Sequence, residues 1–208
     1  SREYEGIRGV TPEIMNTVTQ TTPGGINIYG YQPGYGVNPI TGEFLCHQWA
    51  PEYLTAIDAM GVTNEMSQYD KCVTIANYLC EVLEYGGGQF GQIALAEGGA
   101  ACGRYANAFQ EICLALGIKC EYIGSDEMNH AWNEVYIDGV TYYVDVTWMD
   151  TVHDNKYLMS TTLWPDHTGG KAEHPIDANI FDDQFGKISA TNELDGSEVT
   201  ITYTPANR

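Results

Sequence analysis

Positive charge is what this 208-residue sequence has least of: 9 Lys and Arg stand against 28 Asp and Glu, a formal net charge of −19 at pH 7. A surface of that sign repels phosphate backbones and anionic headgroups, so nucleic acid and anionic membranes are not expected as partners. No apolar run reaches about 18 residues, so no membrane-spanning helix is expected. The carboxylates are scattered without EF-hand spacing, and neither C-x-x-C nor H-E-x-x-H occurs. No cofactor and no metal are therefore expected. Internal repeats, charge blocks and low-complexity tails are absent too. A signal peptide is also missing, but the chain opens on Ser1 and reads as a piece of a longer precursor, so this lack does not argue against export.

What is there fits a folded domain. Hydrophobic residues make up 43% of the chain, and its length is enough for one domain with a sizeable core. Scarce lysine together with 15 Tyr and 23 Gly suits a secreted or cell-surface bacterial protein. The cysteines are Cys46, Cys72, Cys80, Cys102, Cys113 and Cys120. Setting Cys102 aside as a free thiol leaves an odd number. Cys72 and Cys80 fall on one expected helix, roughly 12 Å apart at about 1.5 Å per residue, too far for a bridge. Free, buried thiols are expected, with a pairing of Cys80 to Cys113 or Cys120 left open.

The informative stretch runs from Gly98 to Asp150. Cys102 opens a segment in which Tyr105, Ala106, Phe109, Ile112, Cys113 and Leu116 recur at helical spacing, and Gly117 supplies the C-terminal stop. A helix N-terminus favours negative charge, which lowers the pKa of a thiol placed there. The N–H of Cys102 is itself a candidate donor to an oxyanion. Ile118–Ile123 reads as a strand, and His130–Ile137 as another. Asp138-Gly139 is a two-residue hairpin signal, and Val140–Trp148 returns as the partner strand. Positions equidistant from that turn face each other, so His130 lies opposite Thr147 and Asp145 opposite Trp132. His130 and Asp145 are then diagonal neighbours, roughly 7–8 Å apart by backbone and within side-chain reach. A thiol, an imidazole and a carboxylate on three rigid elements are the parts of a nucleophile, a general base and its orienting group. Cys, His and Asp are also competent zinc ligands, but no zinc spacing accompanies them.

C-x-x-Y-A, a helix ending L-G-I, then H-A-W-N-E-V, D-G and Y-Y-V-D-V-T-W closely resemble the transglutaminase-like superfamily. The clear match covers about a quarter of the chain, and a weaker one extends from about Tyr69 to His167. The resemblance implies an α+β fold with a papain-like core, in which the catalytic helix packs on an antiparallel sheet. It also implies a triad with Cys102 as nucleophile, His130 as general base and Asp145 as orienter. Arg104 departs from the pattern, standing where many bacterial relatives carry glycine. A glutamine upstream of the cysteine often completes the oxyanion hole in papain-like enzymes, and Gln92 and Gln89 are the nearest candidates. Trp132 shares the strand face of His130, where it can wall a cleft or fill the core. His167, in Trp164-Pro165-Asp166-His167, reads as structural rather than catalytic.

The rest of the chain reads as one domain in three parts: an irregular N-terminal extension over 1–49, a catalytic core over 50–165, and a C-terminal loop with a final strand over 166–208. In the extension, Ile14–Val18 is a short helix and Ile26–Tyr29 a short strand. Pro51 opens a helix stopped by Gly61. Asn64 or Ser67 caps the next, which runs to about Tyr85 with Cys72, Ile75, Ala76, Leu79, Val82 and Leu83 on its apolar face. Lys156–Ser160 reads as a strand, and Glu198–Tyr203 alternates as the last one. The leading function is a thiol-dependent amide-bond hydrolase or acyltransferase working through a thioester, with hydrolysis favoured. Its substrate is expected to be a protein or peptide, cell-wall peptide included. The alternative is a retired surface module that keeps the fold to bind.

Overall fold

In a computed structural model of the chain, residues 18–29, 51–86, 99–100, 102–173, 187–191 and 198–202 are described. Strand β1 (Val18–Thr21) pairs antiparallel with β2 (Asn27–Tyr29). Helix α1 (Pro51–Met60) and helix α2 (Gln68–Val82) follow, then β3 (Glu84–Tyr85), which lies parallel to β4 (Gly99–Ala100). Helix α3 is Cys102–Ala115. The main sheet is antiparallel, in the order β7-β6-β5-β8, from β5 (Lys119–Ser125), β6 (His130–Ile137), β7 (Val140–Val144) and β8 (Lys171–Glu173). Helix α4 (Val146–Val152) and a 3-10 turn (Asn155–Tyr157) lie between β7 and β8, and β9 (Lys187–Thr191) pairs with β10 (Glu198–Thr202). This is the expected α+β fold, with the Cys102 helix packed on an antiparallel sheet.

Local chemistry explains the boundaries. Ser67 caps α2 by accepting the N–H of Asp70 at 3.0 Å, the usual role of a serine at that position. Gly61 turns the chain out of α1 at a positive φ. At the end of α3 the N–H of Ile118 reaches the carbonyl of Cys113 at 2.8 Å and that of Gly117 reaches Leu114 at 3.0 Å. Those two bonds form a Schellman motif, which needs the left-handed φ that Gly117 adopts. Asp138 and Gly139 both take positive φ, as a type I′ turn requires. The β6–β7 register follows from that turn, with Ile137 opposite Val140 and Asn133 opposite Val144.

Helix α3 is buried on every side from Tyr105 to Ala115. It packs on β5 and β6 and also contacts α2 and α4. Phe109 and Ile112 share one buried core with Ile75 and Leu79 of α2 and with Tyr53 and Ile57 of α1. The polar Gln110 within it donates to the carbonyl of Cys120 at 3.2 Å.

Several expectations need correction. β7 stops at Val144 instead of running to Trp148: Asp145 accepts the N–H of Trp148 at 3.0 Å and caps α4. The β-branched and aromatic run V-D-V-T-W favours a strand, but an aspartate at an N-cap outweighs it. The strand expected over 156–160 does not form: a 3-10 turn over Asn155–Tyr157, capped by Asp154, takes its start, and of that stretch Ser160 alone bridges, to Tyr143. Val18 begins a strand, while the rest of the helix expected before it lies outside the described residues. The five described cysteines are all unbridged. Cys80 is directed at the carbonyl of Val146 (3.8 Å), not at Cys113 or Cys120. Cys46 lies outside the described residues. Among the described residues no helix is long and apolar enough to cross a membrane.

Gly117→Ala places a side chain at a left-handed position and should lower the unfolding free energy by about 1 kcal/mol. Urea denaturation at unchanged m-value measures it, and an unchanged midpoint would refute the strain.

Candidate active site

Three element ends converge. Cys102 is the first residue of α3, His130 the first of β6, and Asp145 the cap between β7 and α4. The sheet register makes this possible. β7 ends opposite Asn133, so the chain turns into α4 where it comes level with Trp132 and His130, and the Asp145 carboxylate swings under the imidazole. His130 Nε2 and Asp145 Oδ2 are 2.6 Å apart. The remaining ring nitrogen, Nδ1, is left for the thiol of Cys102, which is hydrogen-bonded to His130.

The electrostatics follow from these contacts. The hydrogen bond from His130 pulls the Cys102 pKa below its ordinary value; burial opposes this, and the imidazolium charge and the N–H groups of Gly103 and Ala131 assist. Burial alone would lower the pKa of His130, but its bonds to Asp145 and Cys102 and the charges of both raise it to about 9. Burial likewise works to raise the Asp145 pKa, and the bonds from His130 and His167, the charge of His130 and the N–H of Trp148 bring it below the usual carboxylate value. These shifts all run the same way: they favour a thiolate paired with an imidazolium that is held by a carboxylate. The imidazole is 8% exposed and stacks on Trp148 at 4.9 Å, and the carboxylate is 0% exposed.

His167 joins this group, which its sequence context did not reveal. Its Nε2 lies 2.7 Å from the same Oδ2 of Asp145, and its Nδ1 3.0 Å from Oδ1 of Asp166. Three tryptophans gather around its ring, Trp132, Trp148 and Trp164, with centroids 4.4 to 4.9 Å away. His130, Asp145 and His167 thus offer three potential metal ligands within 4.8 Å of one another. Both contacts to Oδ2 have the length of hydrogen bonds. Ligands of one tetrahedral zinc stand roughly 3.3 Å apart, so the cluster as built does not fit that ion.

The other candidates fall differently. Trp132 is 2% exposed and packs nearly perpendicular to the His167 ring, with centroids 4.9 Å apart. Gln89 and Gln92 lie outside the described residues. Arg104 is partly buried in the second position after Cys102. Sequence reading missed Asn133, the fourth residue of H-A-W-N. Its side-chain amide is fully buried and donates to the carbonyl of Ala106 in α3 at 2.9 Å and to that of Glu121 in β5 at 3.1 Å. It ties the helix carrying Cys102 to the strands beside His130. The only signal was a polar residue inside an apolar strand.

Three likenesses to known proteins overlap this part of the chain. Residues 56–150 match the model of the transglutaminase-like superfamily. The kyphoscoliosis peptidase of Mus musculus is 33% identical over 77 residues, which cover 30% of this chain and 12% of that protein. A solved structure from Cytophaga hutchinsonii, described as a candidate cysteine protease, is 20% identical with a TM-score of 0.39, over 59% of this chain and 45% of that one. The chain spans only a small part of the curated relative it matches.

Asn133→Ala removes two buried bonds, one to the helix at Ala106 and one to β5 at Glu121, and should cost about 2 kcal/mol or more. Thermal unfolding checks this. A loss of about 0.5 kcal/mol or less, the scatter of ordinary surface changes, would show that the bonds do not hold the helix in place.

Proposed function

We propose that this domain is a thiol-dependent amide hydrolase of the peptidase or amidase kind, working through a thioester. The observation that carries the reading is the continuous chain of bonds from the Cys102 thiol through His130 to the buried Asp145. The thiolate attacks the carbonyl carbon of a peptide or side-chain amide, and the oxygen takes the charge. As that intermediate collapses, His130 gives its proton to the departing amine and the thioester remains. Water then attacks the thioester, His130 takes a proton from it, and the carboxylic acid leaves as the thiolate returns. Asp145 stays ionised throughout, holding Nε2–H and stabilising the imidazolium. An amine replacing water gives acyl transfer on the same machinery. Water is preferred because the sequence carries no EF-hand spacing for calcium activation.

Alkylation by iodoacetamide, mapped by peptide mass, tests the pairing. Cys102 should react fast near neutral pH, with the midpoint of its rate profile below the ordinary 9.0. Cys80, whose thiol burial and the charges of Asp150 and Glu81 push up to about 12, is an internal slow control. His130→Ala removes the bond and the charge, so the Cys102 midpoint should rise toward its ordinary value and its rate at neutral pH fall about tenfold or more. If Cys102 reacts no faster than Cys80, or the mutant behaves like the native protein, the thiol is not activated and a retired binding module is the better reading. If activation is seen, release of amine from peptide and glutamine amides, with and without an added amine acceptor, separates hydrolysis from transfer.

A further inference from the structure

We propose that His167 is a positioning residue for this thiol centre: its Nε2–H, donated to Oδ2 of Asp145, holds that oxygen in place as the acceptor for His130. The inference rests on the proposed function but concerns a residue outside the three-membered set. Two imidazoles converge on one carboxylate oxygen, at 2.6 Å from His130 and 2.7 Å from His167. The second carboxylate oxygen is taken by the N–H of Trp148. His167 is therefore one of three donors that fix the carboxylate against rotation, and its side chain is 0% exposed.

The protein builds a mount for this ring. Trp164 donates its Nε1–H to the carbonyl of Lys156 at 2.8 Å, and the N–H of His167 returns to the carbonyl of Trp164 at 3.0 Å. On the far side, Ser125 donates to the carbonyl of Thr168 at 2.6 Å, and Thr168 donates its hydroxyl to Glu127 at 3.0 Å. Gly170 then passes so close over Trp132 that a Cβ there would lie 2.5 Å from the indole ring. A histidine that only filled space would not need its Nε2 aimed at the one oxygen His130 also uses.

The mechanism is electrostatic. A buried carboxylate is expensive to ionise unless donors surround it, and each donor lost makes protonation easier. The titratable groups about Asp145 are His130 on β6, His167 and Asp166 on the Trp164–Gly170 segment, and Cys102 on α3 behind His130. Asp150, further along α4, is turned to the Tyr105 hydroxyl, and Tyr157 packs its ring on His167. Removing the His167 donor should raise the pH at which Asp145 takes up a proton as the solution is acidified. A protonated Asp145 no longer supports the imidazolium, so the thiolate is lost at higher pH.

The test pairs His167→Phe, which keeps bulk and removes the donor, with His167→Gln, whose amide places an N–H near the position of Nε2. The first readout needs no activity: the ring nitrogen and carbon shifts of His130 by NMR, titrated from strongly acidic to alkaline pH in isotopically labelled protein. In the native protein His130 should report the protonation of Asp145 as a perturbation at low pH. His167→Phe should move that perturbation up by roughly one unit, the size of one hydrogen bond to a charged group, and His167→Gln should move it back. The acid limb of Cys102 alkylation should shift by the same amount in the same order. The proposal is overturned if His167→Phe, folded by near-ultraviolet circular dichroism, leaves both profiles in place, or if His167→Gln matches His167→Phe. If His167→Phe fails to fold, His167→Gln carries the test alone: a native-like profile supports the donor, and a profile displaced like that of Asp145→Asn overturns it. Slow alkylation of Cys102 in the native protein would count against the thiol chemistry alone, and the His130 titration would still decide the role of His167.

Discussion

One oxygen atom, Oδ2 of Asp145, constrains much of the surrounding structure. Its carboxylate has no exposure to water, and an unpaired charge in such a place costs several kcal/mol. The chain meets that cost with three donors drawn from three places: the imidazole that begins β6, the imidazole of the Trp164–Gly170 segment, and the backbone N–H of Trp148. Each donor imposes a structural requirement. β7 must end at Val144 so that Asp145 can cap α4. The turn before β6 must deliver His130 at the strand's first position. The later segment must cross back over Trp132, which only glycine at 170 allows at that distance.

The thiol depends on the same arrangement at one remove. Cys102 sits on a helix that is buried on every side from Tyr105 onward, so packing of that helix fixes where the thiol lies. The buried amide of Asn133 fastens that helix to the sheet one residue beyond Trp132. The proposed acyl chemistry needs a thiol and an imidazole held at hydrogen-bond distance through the whole cycle. Here the helix N-terminus, the strand start and the cap are parts of one core, so small relative motions of these elements are costly.

The aromatic residues have a related part. Trp132, Trp148 and Trp164 surround the two imidazoles, keep water from them and leave few alternative partners for Asp145. Excluding water strengthens the bonds within the cluster, since the same contact in bulk water would be screened. Hence the pKa of His130 rises despite its burial, and the thiol next to it is lowered.

The features legible in the amino-acid order are those that rest on short-range rules. The helical spacing after Cys102, the Gly117 stop, the Ser67 cap and the Asp138-Gly139 turn are each readable from a few neighbours, and the turn carried the register that brings His130 and Asp145 together. Sequence pattern misjudged the end of β7, because V-D-V-T-W satisfies strand propensity until the aspartate's capping bond is counted. It could not reveal that His167 returns to Asp145, or that Asn133 fastens helix to sheet. Those contacts join residues far apart in the chain, and nothing local distinguishes a histidine that fills a gap from one aimed at a buried carboxylate. The distinction arises on folding, because burial leaves the Asp145 carboxylate no water to turn to and makes each remaining donor count.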